Sequence, residues 1–273
     1  MLTARAPRPS AAPPVGPLLR GWRQRRRRSQ LDLALDAEVS QRHLSFVESG
    51  RARPSREMVV RLAEVLDVPL RERNRLLLAA GYAPLYPERA LDDPAMGEAR
   101  AAVELILRAQ EPFPALAVDR HWHLVAANRA LAPLLAGTDP GLLAPPVNVL
   151  RLGLHPRGLA PRIANYAEWR AHLLERLRRQ VEAGADPVLQ ALLAELSVLG
   201  PPDPGPAPGP TAHPPGGLVA PLELDTTEGR LRLISTTAVF GTPAEVTLSE
   251  LAIEAFYPAD APTGERLRRL LAA

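Results

Sequence analysis

The 273 residues suffice for two domains with separate cores, and the net charge of +3 is unevenly split: 17 arginines face nine acidic residues in 1–89, and 16 face 21 in 90–273. That split points to a polyanion-binding domain followed by one with another task. The absence of cysteine excludes disulfides and thiolate metal sites and fits a cytoplasmic location; no apolar run nears the roughly 18 residues of a membrane span, and no apolar signal core opens the chain.

Residues 1–14 are rich in Pro, Ala and Arg and are expected to be a disordered arm, with Arg5 and Arg8 placed for a minor groove if they bind at all. Five helices are expected over 15–81. The first spans about Gly16 to Arg28 and buries Leu18, Leu19 and Trp22. Ser29 caps the second, whose apolar content is Leu31, Leu33, Ala34 and Leu35. Ala37, Glu38 and Val39 break the chain, and Ser40 caps the third helix, which turns Leu44 and Val47 inward and Gln41, Arg42 and Ser45 outward before stopping at Gly50. Two short helices meeting steeply, the second with long polar side chains at its free N-terminal end, are shaped to place that end in a DNA major groove. Pro54 and Ser55 open a fourth helix, Pro69 opens a fifth that Gly81 closes, and three prolines in 82–94 mark a linker.

The remainder, 95–273, alternates helices and strands. A helix over 95–109 precedes a hairpin of 115–118 and 122–125, then helices over 127–135, 148–154, 160–182 and 186–199. Residues 200–217 hold 13 Pro or Gly in 18 and are expected to be a disordered insert. Strands follow at 218–226, 230–239 and about 248–257, with a last helix over 262–271. This order predicts an α+β domain, an antiparallel sheet with helices on one face.

The stretches RQRRRRSQ, VSQRHLSFVESGRARPS and LAEVLDV resemble the phage-repressor, or xenobiotic-response-element (XRE), class of helix-turn-helix regulators. ERNRLLLAAGYAPLYPE, PALAVDRHWHLVAANRAL, NVLRLGLHPRGLAPRIANYAEWRAHLLERLRRQ and STTAVFGTPAEVTLSELAIEAFYPAD resemble the bacterial subfamily that joins this module to a MmyB-like ligand-binding domain of PAS-like fold. The resemblance covers most of 15–271 apart from the insert. It implies an all-α five-helix DNA-binding domain followed by an α+β PAS-like domain, and a transcription regulator acting as a homodimer on double-stranded DNA.

By the same resemblance, Gln30 and Ser40 hold phosphates at helix N-termini, Gln41 and Arg42 read base edges, Ser45 lies one turn on, and Arg51 and Arg53 clamp the DNA backbone. Arg23 and Glu48 take the positions of an ion pair internal to the fold. Phe46 either meets a thymine methyl or packs on the fourth helix. Glu38 stands where the class usually has glycine, a substitution costing about 1 kcal/mol if the residue adopts positive φ.

In the second domain Tyr166, Trp169 and Leu173 share a helical face, which is core in most proteins; in the PAS-like fold that the resemblance implies, core and ligand pocket are continuous. Asn128, Asn165, Phe240 and Phe256 are candidates for the same cavity. With few polar groups nearby, the expected effector is apolar or amphipathic, a fatty-acid-like molecule for instance; docking of a partner protein is the alternative. Asp119, His121 and His123 alternate along the expected strand, but no further ligand cluster accompanies them, so no metal is expected. His155, His172 and His213 stand alone. A phosphate-binding glycine loop, a Gly-x-Ser-x-Gly elbow and an acid/base pair are all missing from the sequence, so no enzyme and no cofactor are expected.

Overall fold

The computed structural model describes residues 14–184, 186–200 and 221–272. The expected arm, with Arg5 and Arg8, lies outside the described residues, as does nearly all of the proline-rich insert. Two compact units emerge, one running to Glu88 and taking in 244–246, the other holding the rest.

The first unit is helical: α1 Val15–Arg25, α2 Gln30–Asp36, α3 Gln41–Glu48, α4 Arg56–Val65 and α5 Leu70–Ala79. Three serines start three of these helices. Ser29 Oγ accepts from Asp32 N in a reciprocal capping box, Ser40 Oγ accepts from His43 N at 3.1 Å, and Ser55 Oγ accepts from Met58 N at 3.2 Å. Each such cap is worth about 1 kcal/mol. Glu38 does take positive φ, +53°, at the break between α2 and α3. Leu19, Trp22, Leu33, Leu44, Val59, Leu62 and Leu77 form the core. Leu31 and Leu35, counted on sequence as apolar content of α2, are exposed; a seven-residue helix has room for only one buried stripe, which Leu33 and Ala34 occupy. Gly16 lets α1 close on α3: a Cβ there would lie 2.4 Å from the Val47 carbonyl oxygen.

The start of the expected linker is tied down. Buried Asn74 donates from Nδ2 to Tyr86 O at 2.7 Å and accepts from the Leu85 and Tyr86 amides, and the Tyr82 hydroxyl donates to Pro54 O. One asparagine side chain thus stands in for a missing stretch of backbone pairing.

The second unit contains α6 Gly97–Ala109, β1 Ala115–Val118, β2 Leu124–Ala127, α7 Val149–Leu154, α8 Tyr166–Gly184, α9 Pro187–Val198, β3 Leu222–Thr226, β4 Gly229–Val239, α10 Val246–Ser249 apart from its first residue, β5 Ala252–Pro258 and α11 Ala261–Ala272. The sheet order is β2-β1-β5-β4-β3, antiparallel throughout. Residue alternation gives it two unlike faces. Leu116, Val118, Leu222, Leu224, Leu231, Leu233 and Phe256 join the large core with α7, α8 and α9. Ala115, Ala117, Ile253 and Ala255 face Val103 and Leu107 of α6. Helices therefore cover both faces, not one as the sequence order implied; small alanines on the second face admit α6.

Several boundaries differ from the sequence expectation for local reasons. Trp122 is buried at φ +67°, so it belongs to a turn and β2 starts two residues later. Asp119 Oδ1 accepts from the amides of His121 and His123, both at 2.8 Å, and closes that turn. Pro133 holds residues 129–135 in 3-10 rather than α geometry. The long helix begins at Tyr166, not Ala160, because Ile163 pairs with Leu224 and draws the preceding segment onto the sheet. A short α10 replaces the expected start of the last strand.

Candidate functional site

In the first unit the site is built on α3. Leu44, Val47 and Glu48 are buried on its back, whereas Ser40, Gln41, Arg42 and His43 are exposed at its N-terminal end and Ser45 is half-exposed one turn on. Beneath the helix, Arg23 and Glu48 make a two-pronged ion pair, Nε to Oε1 at 2.6 Å and Nη2 to Oε2 at 2.9 Å. Their side chains are only 11% and 3% exposed. Burial pushes the Glu48 carboxyl up, but bonds from Arg23 and Gln30 and the guanidinium charge outweigh it and hold the group below its ordinary value. The pair fixes α3 to α1 and so fixes the direction in which Gln41 and Arg42 project.

The other residues expected at DNA divide. Gln30 spends its amide inward, Nε2 donating to Glu48 Oε2 at 2.8 Å, which makes it part of the brace under α3. Arg53 is exposed and also tied down: Nε and Nη2 donate to Ala80 O at 3.0 and 2.9 Å and the guanidinium lies 5.4 Å from the Tyr82 ring, so it caps the carbonyl end of α5. Arg51 is exposed. Phe46 is half-buried and stays out of the helical core; its ring lies 5.5 Å from the Arg42 guanidinium and 6.0 Å from that of Arg51. The basic run at the end of α1 is partly structural as well, since Arg26 donates to Leu66 O and Asp67 O and Arg28 pairs with Asp36.

In the second unit a cavity of about 100 Å³ lies between the sheet and α7 and α8. Leu116, Leu131, Leu150, Leu173 and Leu224 contribute to its apolar wall. Of the six expected ligand residues, Trp169 and Phe256 line it. The other four lie elsewhere, each for a visible reason. Asn128 is buried as a bracket, its Nδ2 donating to Leu107 O and Phe113 O and its Oδ1 accepting from Ala115 N. Asn165 likewise ties the start of α8 to β3 through Pro221 O and Glu223 N. The Tyr166 hydroxyl donates to Leu154 O within the core, and Phe240 packs on the opposite face with α6.

The sequence reading missed the cavity's polar wall, Arg176 of α8, Glu254 of β5 and Ser235 of β4. Arg176 and Glu254 are 78 positions apart and form a second two-pronged pair, at 3.0 and 2.5 Å. A signal for them existed: Glu254 is the one charged residue in the strand AIEAF, and Arg176 lies seven residues, two helical turns, beyond Trp169. Gly153 of α7 also lines the cavity. A Cβ built there meets nothing within 4 Å, so neither close packing nor backbone conformation demands glycine.

Asp119, His121 and His123 occupy a turn, not the alternating positions of a strand, yet their ligand atoms fall within 4.8 Å of one another. His123 Nδ1 lies 3.0 Å from Asp119 Oδ2, and His121 Nε2 lies 3.0 Å from Asp186 Oδ2. No helix of the described residues is long and apolar enough to cross a membrane.

Both halves match known families. Residues 19–73 match the helix-turn-helix family, and residues 99–270, more than half the chain, match the MmyB-like transcription regulator ligand binding domain. A protein of Methanoculleus marisnigri, provisionally named an HTH-type transcriptional regulatory protein, is 38% identical over 116 residues, a match covering 41% of this chain and 37% of that relative. A capped, braced helix-turn-helix followed by a sheet that borders a largely apolar cavity agrees with both matches: the chain belongs to the MmyB-like transcription regulators, with a helix-turn-helix region at 19–73 and the family's ligand-binding domain at 99–270.

Proposed function

We propose that the chain binds operator DNA as a homodimer and that a small, largely apolar effector in the second unit's cavity adjusts that binding. The observation that carries the DNA reading is the division of α3: one face sealed by Leu44, Val47 and the Arg23–Glu48 pair, the other presenting Gln41 and Arg42 at the free N-terminal end. In the major groove, an amide suits adenine and a guanidinium suits guanine. Phe46 holds the Arg42 and Arg51 guanidiniums over its ring, which reduces the freedom each would lose on meeting DNA.

The effector reading is supported by Gly153. Glycine in a helix costs about 0.5–1 kcal/mol relative to alanine, and here no packing constraint accounts for it. The benefit is space beside the cavity. At about 100 Å³ the space is on the scale of the roughly 150 Å³ cavity that accommodates benzene, and so has room for the compact apolar part of an effector. Occupancy changes DNA affinity only by the effector's preference for one state of the protein over the other.

Selection from a random duplex library with the full chain tests the DNA reading. The expected product is a two-fold repeat with half-sites about 10 bp apart or a multiple of that. Selection of no repeat contradicts the dimer, and retention that ignores salt contradicts DNA binding itself.

A further inference from the structure

We infer that the cavity of the second unit selects a ligand bearing an uncharged polar group, such as a hydroxyl or an amide, and discriminates against carboxylate and ammonium ions alike. The inference rests on the reading of the cavity as an effector site and adds the chemical class of the effector's polar end.

Among the residues that line the cavity, Arg176 and Glu254 carry charge, and they are already spent on each other. Arg176 Nη1 donates to Glu254 Oε2, and Nη2 donates to Glu254 Oε1 and to Thr237 Oγ1 at 2.7 Å. Thr237 Oγ1 donates in turn to Glu254 Oε1 at 2.9 Å. The guanidinium face stands 4.5 Å from the Trp122 ring, which is fixed by a bond from its Nε1 to Gln180 Oε1. The two side chains are 21% and 6% exposed. The pair is therefore held from three sides and presents no net charge to the cavity.

A carboxylate that approached Arg176 would arrive beside the Glu254 carboxylate, against apolar walls that screen poorly. To bind, it would have to displace Glu254 and leave that group buried without its partner. An ammonium ion meets the mirror-image problem at Arg176. A hydroxyl or amide needs neither displacement, because Ser235 lines the same wall two residues before Thr237 on β4 and its hydroxyl both donates and accepts. The polar wall thus acts as a filter on charge, while the leucines around it hold the apolar body.

Three probes of matched shape test this on the whole 273-residue chain at pH 7: benzyl alcohol, benzoate and benzylammonium. Binding is read from the fluorescence of Trp122 and Trp169, which both line the cavity, and from ligand-observed NMR. Benzyl alcohol is expected to bind at least about tenfold tighter than either ion. Glu254→Gln, which removes the repelling charge, is expected to raise benzoate affinity by about tenfold and leave benzylammonium weak. Gly153→Leu, which fills the space, is expected to abolish binding of all three. Benzoate or benzylammonium binding the unaltered protein as tightly as benzyl alcohol overturns the charge filter while leaving the cavity reading intact. Failure of all three probes, or binding unchanged in Gly153→Leu, overturns the cavity reading and the filter with it. Should Glu254→Gln fail to fold, the ranking on the unaltered protein decides alone.

Discussion

Two glycines in two short stretches of helix show how differently the two units use their interiors. Gly16 of α1 is required by packing, because any Cβ would drive into the α3 backbone. Gly153 of α7 is surrounded by open space and lines a cavity. The first unit keeps its chemistry outside and makes its interior rigid, down to a buried ion pair, so that α3 projects in one direction. The second keeps a void among its leucines, together with a charged pair that is neutral as a whole. A binding surface needs a fixed platform, whereas a sensor gives up packing energy for a place to put its effector.

The largest effect expected from this contrast is at the brace. Glu48→Ala leaves Arg23 buried without its carboxylate and should lower stability by about 3–5 kcal/mol, read as a shift of the urea midpoint. The same pair gives the first unit a specific acid sensitivity. The folded carboxyl value lies below the ordinary 4.5, so the contribution is complete above 4.5 and is lost as pH falls through the lower, folded value. Glu48→Gln should remove that part of the acid transition, and a transition that keeps its full pH dependence would show that the pair is not the source.

The two glycines should respond to alanine with opposite signs. Gly16→Ala is expected to destabilise by about 1–3 kcal/mol through overpacking against a carbonyl. Gly153→Ala is expected to stabilise by about 0.5–1 kcal/mol and to weaken effector binding. Thermal melts of both variants check this, and the same sign at both positions would break the comparison. At the surface, Arg42→Ala should cost about 1–3 kcal/mol of discrimination at one base pair per half-site and leave the melt within about 0.5 kcal/mol. Uniform weakening on all sequences would instead mark Arg42 as a phosphate contact.

The parts of this molecule that could be read in the sequence are those whose causes are local. Ser29, Ser40 and Ser55 announce helix starts because a cap needs only a hydroxyl three residues before an amide, and Glu38 at the break could be placed at positive φ by resemblance alone. Non-local causes were out of reach. Arg53, expected at the DNA backbone, is exposed but also bonded to a carbonyl 27 positions away. Trp122 in a left-handed turn runs against the preference of aromatic residues for strands, so β2 begins two residues later than the sequence pattern predicts. Asn128, Asn165 and Tyr166 are pocket candidates on sequence, yet each bonds a backbone group 12 or more positions away that only the folded unit brings near. A void leaves no residue to read, and its polar wall joins side chains 78 positions apart.

Native mass spectrometry of the gently purified full chain, beside Gly153→Leu, tests most directly whether the second unit's space exists for an effector. The account predicts a bound small molecule on the unaltered protein and none on the variant, with both retaining DNA. An unaltered protein that carries nothing, or a variant that still carries the same molecule, would contradict it.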